Sequence, residues 1–282
     1  MPSKYVKKIR NLPTLPSILA KLIGTLDDPR STAGDIEDIL RHDQSMTSKL
    51  LSVANSAYYA FRHSITTVRR ATVAIGFAEV RNICMGLSLM SFLHPGSFRN
   101  REAAESLWLH SLMTAEGGKV VAGQSGKQDQ DIAFTAGLLH DMGKVVLAAF
   151  FPEDVDRLGR YIAEKGVPYR QAEFELEMDH QTVGRALANN WRLPPMFAEV
   201  MGRHHLPTPY NPYSELNATV HVANYLAHDL GFGDAYDTDA HELGPQSLEI
   251  VGISQVRLEL VREKLDERRE KVFHLWENLM SS

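Results

Sequence analysis

The sequence predicts an all-α protein. Three observations carry that reading. Apolar residues recur with helical periodicity along most of the chain, strand-like alternation of useful length does not occur, and capping residues, glycines and prolines divide the periodic segments at helix-length intervals. The 282 residues suffice for one large domain or two modest ones, and 44% hydrophobic against 23% charged residues supports a sizeable core rather than a disordered chain. No fixed-period repeat or low-complexity tract is visible.

In chain order, Ile18, Leu19, Leu22, Ile23 and Leu26 share one helical face, with Pro16 placed to open the helix and Asp27-Asp28-Pro29 to end it. Ser31 or Thr32 caps the next helix, Asp35 stands near capping-box spacing, and Ile36, Ile39 and Leu40 face inward. A third helix runs from about Asp43 to Asn55 on Met46, Leu50, Leu51 and Val53. Short helices follow over Val68–Ile75, stopped by Gly76, and Ala78–Phe92. His94-Pro95-Gly96-Ser97 marks a lobe boundary.

Beyond it, Glu102–Val121 reads as a long helix ending at Gly123 and interrupted by Gly117-Gly118, and Asp131–His140 as a helix entering a glycine-containing segment. Phe151-Pro152 breaks the chain, and helices resume over Val155–Glu164, Tyr169–Met178 and Thr182–Trp191. Leu193-Pro194-Pro195 is a turn, Phe197–His205 a helix, Pro207–Pro212 a rigid loop and Glu215–Asp229 a further helix. Gly231–Gln246 reads as a polar loop, and a last helix spans Ser254–Leu279. Nine of the ten residues in Arg262–Lys271 are charged, which describes a solvated face; the alternative is a homodimer seam of Leu265, Val272, Leu275 and Leu279.

Charge and composition exclude several classes. With 30 basic and 35 acidic residues the net charge is −5, so no general basic excess exists to hold DNA. The single cysteine, Cys84, permits neither an internal disulfide nor a cysteine zinc finger and fits a reducing cytoplasm. Lys21 interrupts the apolar stretch after the basic N-terminus, and the longest apolar run, Val145–Phe151, falls far short of the ~20 residues of a membrane span, so a soluble, unexported protein without a membrane partner is expected. Glycine-rich phosphate loops are absent, and Ser111, adjacent to His110, diverges from it by about 100° on a helix, so no nucleophilic pair forms there.

The twelve histidines carry the chemistry. His110 lies mid-helix, His140-Asp141 opens a His-Asp-x-Gly-Lys string that ends at Lys144, His180 stands alone, and His204-His205 closes a helix. The intervals of 30, 40 and 24 residues put these side chains on separate helices that converge in a bundle. Neutral imidazoles with a carboxylate suit Fe, Mn, Zn, Ni or Co; an aspartate can bridge two metals, and Lys144, one turn from His140, can offer charge to a phosphate. For any one histidine the alternative is a core residue bonded to a backbone carbonyl.

His110, His140-Asp141, Gly143-Lys144, His180 and His204-His205 resemble the HD superfamily of metal-dependent phosphohydrolases, in the order of its HD-GYP branch. The N-terminal half narrows the likeness. Leu12–Pro16, the Asp43–Ala54 helix, Val53–Tyr58, Ala74–Phe77, Leu107–Ser111, Gly137–Lys144 and Trp191–Pro194 resemble the HDOD family, the HD-related output domains, over about residues 10–230. The resemblance implies an N-terminal helical lobe (1–97) packed on an HD-like bundle (98–246), with a C-terminal helix (247–282) on the bundle. It implies a bacterial, cytoplasmic signalling module acting through a protein partner. It also implies metal ligands at His110, His140 and Asp141 for one position and Asp141, His180, His204 and His205 for another. Asp141 and Lys144 are catalytic only if the chain is an enzyme. Two departures stand out: Leu206–Tyr210 replaces the Gly-Tyr-Pro loop, and Asn224 stands where the late aspartate ligand belongs. The missing anion weakens the first position more than the second, favouring one ion over two and a regulatory module over a phosphohydrolase of nucleotides or cyclic dinucleotides.

Three other features have plainer readings. Asp234, Asp237, Asp239 and Glu242 lack the alternation and glycine of an EF-hand and read as a solvated loop. Arg62, Arg69, Arg70 and Arg81 read as surface charge rather than a phosphate patch. Asn55–Tyr59 reads as a helix end followed by an aromatic plug.

Overall fold

The computed structural model describes residues 4–9, 14–26, 28, 30–41, 43–56, 58–92, 98–235, 237 and 243–280. Seventeen helices and no strand occur among them: α1 (Lys4–Ile9), α2 (Ser17–Gly24), α3 (Ala33–Leu40), α4 (Gln44–Ala54), α5 (Val68–Ile75), α6 (Phe77–Phe92), α7 (Arg101–Ser125), α8 (Gln130–Leu139), α9 (Met142–Phe150), α10 (Pro152–Lys165), α11 (Tyr169–Glu175), α12 (His180–Asn190), α13 (Pro195–Arg203), α14 (Ser214–Asp229), α15 (Pro245–Val251), α16 (Gln255–Asp266) and α17 (Arg269–Met280).

The chain divides into two compact units, residues 1–14 with 93–266 and residues 15–92 with 267–282. This differs from three consecutive segments because α1 packs on α12, whereas α17 packs on α4 and α6. The expected C-terminal helix is broken at residues 267–268: Leu258, Val261 and Leu265 are buried on α16, which packs on α7, and Val272 and Leu275 are buried on α17. A dimer seam there would have to take Leu265, Val272 and Leu275 out of the chain's own core; the Leu279 side chain and the breaker His94–Ser97 lie outside the described residues.

In the unit of α2–α6 and α17, Thr32 and Asp35 form the expected capping box, Thr32 N–H donating to Asp35 Oδ2 at 2.6 Å. Asp43 caps α4 through Met46 N–H (2.8 Å), and Gly76, at φ 93°, ends α5. Asn55 does more than end α4. Its amide donates to the carbonyls of Leu51 and Ile65 and accepts Ile65 N–H, pinning the following loop. Tyr59 stacks on Phe61 and donates to Glu79, which also pairs with the buried Lys271 of α17 at 2.6 Å. Arg81 is not surface charge: it is buried, its guanidinium lies over the Phe77 ring, and it reaches the Thr25 carbonyl at 3.4 Å; Arg62, Arg69 and Arg70 are exposed.

The other unit is built around α7, against which α8, α14 and α16 pack, with α12 lying on α9 and α13. Trp108, Leu112, Met113, Val121, Leu139, Val146, Phe197 and Val222 lie in its core. Gly117 and Gly118 do not interrupt α7. They let neighbours approach, since a Cβ on Gly118 would sit 2.6 Å from the Ala133 carbonyl oxygen. Among the described residues one stretch, Gln130–Phe150, is long and apolar enough to cross a membrane by length and composition, but turn residues interrupt it at His140-Asp141 and 83% of its apolar 18-residue window is buried inside the protein.

Candidate metal centre

Most of the polar side chains at the centre come from helix ends. His140 follows the last residue of α8, Asp141 precedes α9, His180 opens α12 after the Asp179 cap, and His204 follows α13; His110 comes from the middle of α7. The backbone at Gly143 runs against α12, where any side chain would collide with the His180 carbonyl. Five segments thereby bring His110, His140 and Asp141 into one group, and Asp141, His180, His204 and His205 into a second, with the candidate ligand atoms of each group within 4.8 Å of one another.

Hydrogen bonds behind the rings fix their tautomers. Nδ1 of His110 donates to the Phe232 carbonyl (2.7 Å), Nδ1 of His140 to the Gly137 carbonyl (2.7 Å) and Nδ1 of His204 to the Val200 carbonyl (3.1 Å). A carbonyl only accepts, so in the neutral form a ring held this way turns its Nε2 lone pair inward. Burial pushes His110 down to about 4, with His140 adding to the effect, and His204 down to about 3 against the pull of Asp141. Burial and then His204 hold His205 well below the usual histidine range. His180 goes the other way: burial lowers it, but Glu173, at 2.6 Å from Nδ1, outweighs burial and raises it.

The inward Nε2 atoms lie close together. His110 Nε2 and His140 Nε2 are 3.3 Å apart, and His180 Nε2 lies 3.5 Å from that of His204 and 3.2 Å from that of His205. Asp141 Oδ1 is 3.4 Å from His180 Nε2 and 3.3 Å from His204 Nε2; Oδ2 is 3.4 Å from His140 Nε2 and 3.8 Å from His110 Nε2. Neither Asp141 oxygen accepts a well-aligned hydrogen bond. Nε2 lone pairs gathered around a buried carboxylate make a candidate ligand set for a cation. The spacings suit one, because metal–nitrogen bonds of about 2.05 Å place tetrahedral ligand atoms about 3.3 Å apart.

Lys144 does not offer its charge outward. Its ammonium, 4% exposed, lies 3.0 Å from Asp141 Oδ2, 2.8 Å from Asp234 Oδ2 and 2.9 Å from Asp237 Oδ2, with the Tyr169 ring 4.7 Å away. Burial lowers the Lys144 pKa, but the three carboxylates outweigh it and hold the ammonium well above its ordinary value. Burial likewise opposes ionisation of Asp141, and His140 and Lys144 outweigh that, holding its carboxyl well below the usual range. Asp234 and Asp237, expected in a solvated loop, are each 1% exposed; Asp239 and Glu242 lie outside the described residues.

Asn224 lies on α14, three residues past His221, whose Nδ1 donates to the His204 carbonyl (2.9 Å), and four before His228, whose ring centroid is 4.7 Å from that of His110. This face of the helix is turned to the centre. Asn224 is buried, and its Oδ1 has no hydrogen-bond partner. Glu173 and the Phe232 carbonyl are parts of the centre that no sequence signal singled out, and Asp234 and Asp237 are parts of it that the sequence places in a solvated loop. The grouping of Glu173, Asp179 and His180 has a structural explanation: Glu173 holds the His180 ring and Asp179 caps α12.

A sequence model of the HDOD domain matches residues 12–207, more than half of the chain. The chain belongs to the HDOD domain family. This HDOD chain is 26% identical over 220 residues to an uncharacterised protein of Treponema pallidum (strain Nichols), covering 77% of the chain and spanning 42% of that relative's length. Among solved structures it is similar to an HDOD domain protein of unknown function from Geobacter sulfurreducens, with a TM-score of 0.82, 24% identity and 99% of both chains covered. A provisionally assigned signal transduction protein from Marinobacter aquaeolei VT8 gives a TM-score of 0.80 at 21% identity, over 98% of this chain and 62% of that one. A provisionally assigned phosphohydrolase from Shewanella amazonensis SB2B gives 0.76 at 22% identity, over 98% of each chain. These likenesses show a shared all-α fold.

Proposed function

We propose that this chain is a non-catalytic output module that signals through protein contacts and whose metal centre organises the bundle. Closure of the centre carries the reading. His110, His140, Asp141, Lys144, His180, His204, His205 and Asn224 are each at most 5% exposed, and Lys144 is occupied by the chain's own carboxylates. Structural metal sites are closed by protein ligands, whereas catalytic ones keep a position open for water or substrate.

Asp141 Oδ1, His180, His204 and His205 would hold one ion of the Fe, Mn, Zn or Ni kind, with Glu173 and the Val200 carbonyl fixing the rings of His180 and His204. When bound, such an ion supplies positive charge and Lewis acidity. Asp141, at the α8–α9 junction, ties α12 and α13 to α7 through its two oxygens. The partner is a signalling protein rather than nucleic acid, in keeping with the net charge of −5.

A phosphohydrolase is the second reading. It is favoured by the two Asp141 oxygens facing separate ligand groups, the arrangement that lets one carboxylate bridge two metals for phosphoryl chemistry. Assaying the metal-loaded protein against phosphomonoesters, phosphodiesters and cyclic dinucleotides separates the two. The output reading expects no turnover; robust turnover that disappears in Asp141→Ala overturns it. Turnover that appears only in Asn224→Asp identifies the wild-type chain as an enzyme silenced at that position.

A further inference from the structure

Helices α2, α4 and α6 leave a cleft of about 330 Å³ within the unit of residues 15–92 and 267–282, and no residue of the two metal-ligand groups lines it. That volume is in the range of small-molecule sites. Its donors come from all three helices. Ser17 opens α2, Ser45 and Lys49 stand near the start of α4, and Ser88 and Ser91 near the end of α6. Pro16 supplies no capping oxygen to α2, whose first helical bond runs from Ala20 N–H to the Pro16 carbonyl, so the N–H groups of Ser17, Ile18 and Leu19 stand outside the ladder. Ser88 is 3% exposed, and its hydroxyl makes no hydrogen bond among the described residues. By contrast, Ser111 and Thr72, also within helices, bond back to the carbonyls of Leu107 and Val68. A buried hydroxyl left in this way is costly unless something entering the cleft accepts from it. Lys49 forms no ion pair among the described residues, and the cleft's own carboxylate, Asp43, caps α4 through Met46 N–H at 2.8 Å.

We propose that this cleft binds a small phosphate monoester with a hydroxylated body, its phosphoryl group held by Lys49, Ser88 and the neighbouring serines. Donor number selects phosphate. The ammonium and four hydroxyls outnumber the roughly four hydrogen bonds that a carboxylate accepts, whereas a phosphoryl group offers a third oxygen. Charge agrees, because the Lys49 ammonium and the positive end of α2 both favour an anion. The remaining wall is built by Pro16, Ile18, Met46 and Leu87, an apolar surface for the body of the ester. Asp43 Oδ2, which the α4 cap does not use, can accept a hydroxyl of that body. Such a ligand gives the module an input site of its own, and the inference does not depend on the metal reading.

The test is calorimetric titration of the full chain with adenosine 5′-monophosphate, ribose 5-phosphate and adenosine at constant ionic strength, for wild type, Lys49→Met and Ser88→Ala. The wild type is expected to bind at least one of the two phosphates saturably, with a Kd below about 0.1 mM, and adenosine at least about tenfold more weakly. Each substitution is expected to raise the Kd of the phosphate about tenfold, as the loss of a hydrogen bond to a charged group does. Binding of both phosphates alike upholds the site with the sugar phosphate as its ligand; binding of the nucleotide alone upholds it with the base included. Ser88→Ala removes a hydroxyl that holds nothing within the chain and should melt with the wild type, and if Lys49→Met does not fold, Lys49→Gln is read in the same way. The inference is overturned if the wild type binds neither phosphate, or binds adenosine as tightly as its phosphate. It is overturned equally if a folded Lys49 or Ser88 variant binds as the wild type does, since the ligand then lies elsewhere on the chain.

Discussion

Gly137→Ala probes the contact on which the first ligand group depends. Gly137 lies on α8 where that helix meets α7, and a Cβ there would stand 2.7 Å from the Thr114 carbonyl oxygen, 2.8 Å from Ala115 Cα and 2.9 Å from Ala115 N. All three obstacles are backbone, so no side-chain rotation relieves them. Reaching ordinary van der Waals contact needs the two helices to part by about 0.7 Å, and overpacking of this kind costs about 1–3 kcal/mol. Replacing a helical glycine by alanine returns about 1 kcal/mol through backbone entropy. With three simultaneous clashes the upper part of the range applies, and the net loss is about 2 kcal/mol, or about 4–8 °C in Tm. The same movement draws His110 on α7 away from His140, whose Nδ1 is held by the Gly137 carbonyl itself, and lengthens their 3.3 Å separation. Thermal melts should be run beside Gly24→Ala, a helical position where nothing lies within 4 Å of a new Cβ, and that control should be neutral or slightly stabilised. A Gly137→Ala protein as stable as the parent would refute the close-packing argument.

Other outcomes follow from the same geometry. Glu173→Gln should weaken metal binding by about 10–100-fold in a chelator competition while the circular dichroism spectrum is unchanged, because the His180 ring loses its anionic orienting partner; unchanged affinity would show that Glu173 does not position the ligand. Lys271→Met should cost about 3–5 kcal/mol in denaturant unfolding by leaving Glu79 without its buried cation, and adding Glu79→Gln should recover part of the loss. Burial pushes the Cys84 thiol up to about 12, so at pH 8 it stays protonated and should ignore Ellman's reagent until denaturant exposes it; rapid labelling of the folded protein would contradict its placement in the core. Asn224→Asp supplies the absent anion on the face of α14 turned to the centre and should raise metal content toward about two ions per chain by elemental analysis, as the added carboxylate increases affinity at the first group.

The helices legible in the sequence are those with both a cap and a stop. Val68–Ile75 lies between the Thr67 hydroxyl, which accepts Arg70 N–H, and Gly76 at φ 93°, and its expected bounds match. Helix α9 was not legible because Gly143 reads as a break, whereas it is the point where α9 meets α12 backbone to backbone. Gly117 and Gly118 mislead in the same way: in one sequence a glycine that ends a helix and a glycine that admits a neighbour look alike. The histidines were legible as a set by their order. Their partners were not, because Glu173 stands among ordinary surface glutamates, and Asp234 and Asp237 sit in a stretch whose composition is that of a solvated loop. Burial of a carboxylate by a lysine about 90 residues away leaves no local signature.

Metal analysis of protein purified without chelators or a nickel column tests the central claim most directly. Inward-facing Nε2 lone pairs around Asp141 predict about one divalent ion per chain in the wild type, falling below about 0.1 in His180→Ala/His204→Ala. A wild-type protein that folds with less than about 0.1 ion per chain, and takes up none when metals are supplied, would contradict it.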